Sequence, residues 1–165
     1  MEIKSFQDLY IAELQELRNG EAQLIDALEH MAGTAGNGEL KQAFTHHRDQ
    51  TLAQKERLDL ILQRHGADPH AHQDQAMQAL VREAEKMMVI VTGNDLRDVA
   101  LVASAQKLEH YEIAAYGTAA ALAGQLDLRD DQSILHQTLE EEKHADALLS
   151  NLAKRIVNPS ASLAA

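Results

Sequence analysis

The sequence predicts an all-α chain, a bundle of four long helices with a fifth, shorter one. Three observations carry this. The apolar content is 45% of 165 residues, yet aromatic residues are only 3%, so it is mostly leucine and alanine, which favour helices. Proline, the strongest helix breaker, occurs only at Pro69 and Pro159. Apolar residues recur at the helical period of about 3.6 over long stretches, separated by short glycine-containing breaks.

The elements follow in order. Ser5 is a plausible N-cap for a first helix running to about Ala32, stopped by the run Gly33-Thr34-Ala35-Gly36-Asn37-Gly38. The second is expected from about Glu39 to His65, closed by Gly66 with Pro69 behind it. Residues 67–72 read as a polar loop. A shorter helix spans about Gln73 to Val91 and breaks at Gly93-Asn94. The fourth runs from about Asp95 to Gln125, and the last from about Arg129 to Ile156. Residues 1–157 form one helical domain on this reading, with 158–165 a disordered tail.

The connections define the topology. The first two long helices are joined by a short loop, and so are the last two, at Leu126-Asp127-Leu128. Each pair should form an antiparallel hairpin. The long crossover between the hairpins carries the short helix. A single long crossover of this kind is the ferritin-like arrangement, in which metal ligands face inward.

The net charge of −11, from 26 acidic and 15 basic residues, leaves no basic stripe for a nucleic-acid backbone and disfavours an anionic membrane. No apolar run approaches the roughly 18 residues of a membrane span, and the N-terminus has no signal-peptide pattern. Cysteine is absent, which excludes disulfides and thiol catalysis. A cytoplasmic location is expected.

Phasing the helices places acids on the faces that should be buried. In the last helix Leu135, Leu139, Leu149 and Ala153 form a stripe that contains Glu142 and Asp146. In the fourth, Val102, Ile113, Tyr116 and Ala120 define a stripe with Glu109 at its centre and Glu112 on its flank. Glu21 interrupts the first helix's line of Tyr10, Leu14, Leu17, Leu24 and Leu28. In the second, His47, Gln50, Thr51 and Gln54 fill inward positions between Leu40, Leu58 and Ile61.

Burying one unpaired carboxylate costs several kcal/mol, so four or five would cancel most of a net stability of roughly 5–15 kcal/mol. No lysine or arginine falls on the inner stripes to offset them. One or two divalent cations would, and oxygen ligands with one histidine suit Fe or Mn better than structural zinc. Shared protons offer a partial alternative. The literal match Glu141-x-x-His144 to the di-iron ligand pattern is phased away from the core, so both residues should face solvent. His70 and His72 read as residues of a solvated loop. Met87-Met88 beside Val89-Ile90-Val91 reads as packing surface or a dimer contact.

The block Gln106-Lys107-Leu108-Glu109-His110-Tyr111-Glu112-Ile113-Ala114-Ala115-Tyr116-Gly117 is very similar to the bacterial YciE/YciF family. So are Gly20-Glu21-Ala22-Gln23-Leu24, residues 47–54, and Leu139-Glu140-Glu141-Glu142-Lys143 with Asp146. The resemblance covers nearly the whole chain. It implies a rubrerythrin-related, stress-associated dimer with a dinuclear metal site, and no settled reaction. Carried over by position, it assigns inward ligands at Glu21, Glu109, Glu112, Glu142 and Asp146. Where relatives read His-Leu-Glu-Glu-Thr, this chain has His47-Arg48-Asp49-Gln50-Thr51. The inward glutamate is therefore Gln50, a weaker bridging donor, which bears on the second metal.

Two functions follow: an Fe- or Mn-binding protein whose metal stabilises a homodimer, with Glu21, His47, Gln50, Gln54, Glu109, Glu112, Glu142 and Asp146 as its site, or a dinuclear redox enzyme acting on peroxide or oxygen. In the second, Tyr116 would support a ligand from behind. A metal-free dimeric interaction protein with proton-sharing carboxylates is the third reading.

Overall fold

A computed structural model describes residues 2–163, and every regular element among them is helical. The long helices are α1 (Phe6–Thr34), α2 (Gly38–Arg64), α4 (Asn94–Gln125) and α5 (Arg129–Leu152), with the short α3 (Gln75–Ile90) in the crossover. Boundaries lie within two residues of the sequence reading except at the C-terminal end.

Local chemistry sets the ends. Ser5 caps α1 in a capping box, its hydroxyl accepting from the Asp8 amide at 3.0 Å while Asp8 accepts from the Ser5 amide at 2.9 Å. Asn37 caps α2 and Asp74 caps α3. Gly66 ends α2 at φ 65°, a left-handed conformation that glycine adopts without steric penalty.

The α1–α2 and α4–α5 hairpins pack side by side, α1 against α4 and α2 against α5, while α3 lies across α1 and α4. Polar contacts fix the orientation. Asp98, early in α4, accepts from the Gly36 and Asn37 amides at 2.8 Å each, so α4 starts beside the α1–α2 turn. Asp131, early in α5, meets Tyr10 at the start of α1 and His65 at the end of α2. The crossover therefore travels the length of the bundle.

The apolar interior is divided in two. One cluster, around Leu28, Met31, Phe44, Met77 and Leu108, fills the half near the α1–α2 turn. The other, around Tyr10, Leu14, Leu58, Ile61 and Leu135, fills the opposite half. The acidic layer lies between them.

Residues 158–163, expected to be disordered, instead continue the chain as α6 (Asn158–Leu163) after a π-helical turn, Ala153–Val157. Proline cannot donate to a carbonyl four residues back, and its ring crowds that carbonyl. The wider π turn just upstream accommodates Pro159, and Val157 is buried. Residues 164–165 lie outside the described residues. No described helix is long and apolar enough to cross a membrane.

Candidate metal centre

Each long helix contributes a polar side chain to the central layer. Glu21 from α1, Glu109 from α4 and Glu142 from α5 have no exposed surface, and Glu112 from α4 is 1% exposed. Glu112, placed on the flank by phasing, is thus drawn in as fully as the others. From α2 come His47, 5% exposed, and Gln54, fully buried. Helical spacing explains the selection: Glu109 and Glu112 are three residues apart, so one face of α4 presents both.

Four of these side chains converge. Ligand atoms of His47, Glu109, Glu112 and Glu142 lie within 4.8 Å of one another. His47 Nε2 is 3.0 Å from Glu109 Oε2 and 3.5 Å from Glu142 Oε2, without the alignment of a hydrogen bond. Glu21 borders this group, with one carboxylate oxygen accepting from the Tyr116 hydroxyl. The Gln54 amide donates to Glu142, and at 3.1 Å to Glu141 Oε2.

Much of the layer's hydrogen-bonding capacity is unspent. Both oxygens of Glu109, both of Glu112, and one each of Glu21 and Glu142 have no hydrogen-bond partner, nor do the ring nitrogens of His47. Native interiors rarely tolerate this. The electrostatics agree. Burial pushes Glu21 up to about 8, opposed by the Tyr116 hydroxyl and His47. Burial, reinforced by the neighbouring glutamates, holds Glu112 and Glu142 well above the usual carboxylate range. Burial lowers the His47 pKa, but Glu109 and then Glu21 outweigh it, and the ring is held above its ordinary value. A cluster of oxygens and one imidazole, buried and orphaned, fits a hard or borderline divalent cation.

Asp146 lies outside this group, while Gln50 sits beside His47. Asp146 is half-buried and held at the α4–α5 seam, where its Oδ1 accepts from Gln106 Nε2 at 2.9 Å and lies 3.4 Å from His110 Nε2. Its side chain is one methylene shorter than glutamate, and Gln106 fixes it. Gln50 is half-buried and lines a cavity on the outer side of His47.

One residue missed by phasing completes the surroundings. Arg57 grips Glu141 through two hydrogen bonds of 2.7 and 3.0 Å, so Glu141 turns toward α2 rather than into solvent. The sequence held a signal for it. Arg57 follows Gln54 by three residues and so shares its side of α2. His144 is exposed as expected.

A four-helix bundle with one long crossover and a carboxylate–histidine layer at mid-height is a ferritin-like helical protein. The chain belongs to the family described as Domain of unknown function (DUF892), whose model matches residues 5–162. It is 40% identical over 162 residues to Protein YciF of Escherichia coli strain K12, covering 98% of each chain. The crystal structure of that E. coli stress protein superposes with a TM-score of 0.90, covering 94% of this chain and 99% of the other. YcfI from Rhodopseudomonas palustris is 36% identical with a TM-score of 0.87, over 90% of this chain and 95% of its own. A Xanthomonas campestris protein at 18% identity and TM-score 0.76 shares the fold.

Proposed function

We propose that the chain is a stress-associated metal-binding protein that holds one or two Fe or Mn ions in the central layer. The observation that carries this is the group of buried, unpartnered ligand atoms of His47, Glu109, Glu112 and Glu142. These four would hold the first ion. Glu21 is the natural additional ligand for a second, with Tyr116 orienting its carboxylate. Gln54 steadies Glu142 rather than supplying charge. When bound, such an ion would supply Lewis acidity and a one-electron redox couple.

The test is metal content per chain by plasma mass spectrometry after expression in Fe- and Mn-replete medium, beside a Glu109→Ala Glu142→Ala double variant. Bound Fe or Mn in the wild type and none in the variant is the expected result. No metal in either protein would overturn the reading and leave a proton-sharing, metal-free bundle.

A redox reaction with peroxide or oxygen is a second reading, favoured by the cavity that reaches His47 from solvent. A cytoplasmic homodimer is part of the same proposal. Val89, Ile90 and Leu96 are 82%, 60% and 56% exposed around the α3–α4 junction, an apolar patch suited to a second copy. Sedimentation of the wild type against Val89→Glu Ile90→Lys distinguishes a dimer through this patch from a monomer.

A further inference from the structure

The four carboxylates of the layer differ in how many oxygens they leave free. Glu109 and Glu112 leave both. Glu21, tied to the Tyr116 hydroxyl, leaves one. Glu142 also leaves one: an oxygen accepts from the Gln54 amide, and Oε2, 3.5 Å from His47 Nε2, has no hydrogen-bond partner. Two of the acids can turn a pair of oxygens to a cation, and two only a single one.

The hold on Glu142 reaches back to the surface. The Gln54 nitrogen also donates to Glu141 Oε2 at 3.1 Å. Arg57 grips Glu141 in turn, its Nη1 and Nη2 donating to the two oxygens at 2.7 and 3.0 Å. Arg57 Nη1 also donates to the buried Thr138 hydroxyl at 3.1 Å, and Gln137 donates to Glu141 Oε1 at 3.1 Å. Glu141 is thereby fixed from both α2 and α5. Arg57 and Glu141 are 24% and 21% exposed, while Gln54 and Glu142 have no exposed surface. The chain of side chains runs from solvent to the layer.

Within this chain the Gln54 amide has one favourable orientation. Its Oε1 has no partner, so the two N–H bonds alone decide which way it faces. Turned over, Oε1 would meet two carboxylates, and each would lose a donor. That holds only while Glu141 stays charged and in place. Arginine suits this task, because its planar fork fits both oxygens of a carboxylate at once. Helical spacing brings the parts together. Gln54 follows His47 by about two turns, so α2 presents both to the layer, and Arg57 lies about one turn further on.

We propose that Arg57 is a positioning residue for the metal centre: through Glu141 and Gln54 it holds Glu142 so that a single oxygen, Oε2, is offered to the layer. Glu142 is then a one-oxygen ligand, and two-oxygen contacts fall to Glu109 and Glu112. Removing a group that supports a ligand from behind commonly weakens metal binding roughly 10- to 100-fold. The proposal deepens the metal-centre reading and rests on it only for what Oε2 meets, since the hold on Glu142 exists without an ion.

The test compares the full-length protein with Arg57→Met, which keeps an apolar stem and removes the charge and the fork. In chelated protein, hydrogen exchange of the Gln54 side-chain amide, read by nitrogen-15 NMR, should quicken at least about tenfold in the variant as its charged acceptors come loose. Affinity for manganous ion should fall at least about tenfold. Infrared difference spectra, loaded minus chelated, supply a readout that a merely structural role would not move. One-oxygen coordination separates the two carboxylate stretches more widely than two-oxygen coordination. Arg57→Met, and Gln54→Met more completely, should convert one widely split pair of bands into a narrow one. Arg57→Lys, which keeps the charge without the fork, should lie between wild type and Arg57→Met. If Arg57→Met does not fold, Glu141→Gln keeps the shape, removes the charge that Arg57 grips, and carries the same expectations. Unchanged Gln54 exchange in chelated Arg57→Met, or wild-type bands in loaded Gln54→Met, overturns the proposal even where the variants melt lower. Wild-type protein that takes up no metal overturns the metal-centre reading alone, and the exchange measurement then decides the proposal by itself.

Discussion

Two of the regions in which the bundle buries acids treat them in opposite ways. At the end formed by the α4–α5 turn, Asp131 is 5% exposed and accepts from the Tyr10 hydroxyl at 3.0 Å. His65 Nε2 and Arg64 Nη2 each lie 2.7 Å from its oxygens. Protein groups alone complete that site. At mid-height, Glu21, Glu109, Glu112 and Glu142 are buried as deeply or more so, and six of their oxygens find no hydrogen-bond partner. A buried carboxylate is stable only when its charge and its lone pairs are answered. The comparison teaches that burial of acid is not by itself a sign of a metal site. The diagnostic feature is acid whose partners the chain does not provide.

The largest effect should come from supplying what is missing. Saturating manganous ion, at roughly 100 to 1,000 times its dissociation constant, adds about 3–4 kcal/mol to the folded state. For a domain of this size that is roughly 10 °C in melting temperature. Calorimetry of chelated and loaded protein measures it. The Glu109→Ala Glu142→Ala variant should show no gain, and Asp131→Ala should keep all of it.

Asp131→Ala itself comes next. It strands the Tyr10 hydroxyl and removes the carboxylate from between His65 and Arg64, and breaking a buried pair on one side costs about 3 kcal/mol. Arg64 is 44% exposed and re-solvates readily, so the cost belongs mainly to Tyr10 and His65. Urea denaturation should report the same loss with and without metal. A loss that metal reverses would mean the two acidic regions are coupled, and the comparison would fail.

The sequence made one of these regions visible and not the other, for a physical reason. Glu21, Glu109 and Glu142 each fall in the middle of an apolar stripe, and helical phasing suffices to see that. Asp131 sits at a helix start, where an acid is ordinary because it complements the helix dipole, so it raised no alarm. Its partner Tyr10 was recognised as core, and a buried phenol needs an acceptor. Which acid supplies it is a tertiary fact. Asp146 lies at the α4–α5 seam rather than among the four converging side chains for a similar reason: phasing gives a direction for the side chain but not its reach, nor the competing amide of Gln106. The π turn that carries the chain past Pro159 has no period of its own to read.

The metal-free protein should also respond to pH with an unusual sign. Carboxyls raised by burial, with Glu21 near 8 against 4.5 in the unfolded chain, penalise the folded state once they must ionise. Stability is therefore full near and below pH 4.5 as regards these groups, and is lost as pH rises through about 8. His47, also raised, acts in the same direction. Asp59 and Glu141, both lowered, act oppositely, but their contribution fades below their unfolded values of 3.8 and 4.5, outside this window. Chelated protein should lose about 2 kcal/mol between about pH 5 and pH 8, read from urea curves, and loaded protein much less. A flat profile in the chelated protein would mean that its layer is already neutralised by protein groups, as Asp131 is.

The smallest effect separates the two kinds of site most cleanly, because it reverses sign. Glu112→Gln keeps the shape of a side chain whose two oxygens are unpartnered, removes its charge, and adds two donors among acceptors that need them. In chelated protein at about pH 8 the variant should be more stable than wild type by about 1 kcal/mol. Toward pH 5 the gain should shrink, since burial holds the Glu112 carboxyl well above the usual range and favours its neutral form as pH falls. On adding manganous ion the order should invert, because the variant has lost an anionic ligand and binds the ion more weakly. Asp131→Asn, the matching change at the other site, has no such second phase: it weakens the contacts with His65 and Arg64 and is destabilising whether or not metal is present. Chelated Glu112→Gln protein that melts below wild type at both pH values would show that the mid-height carboxyls already stabilise the fold on their own, and the contrast between the two regions would be one of degree.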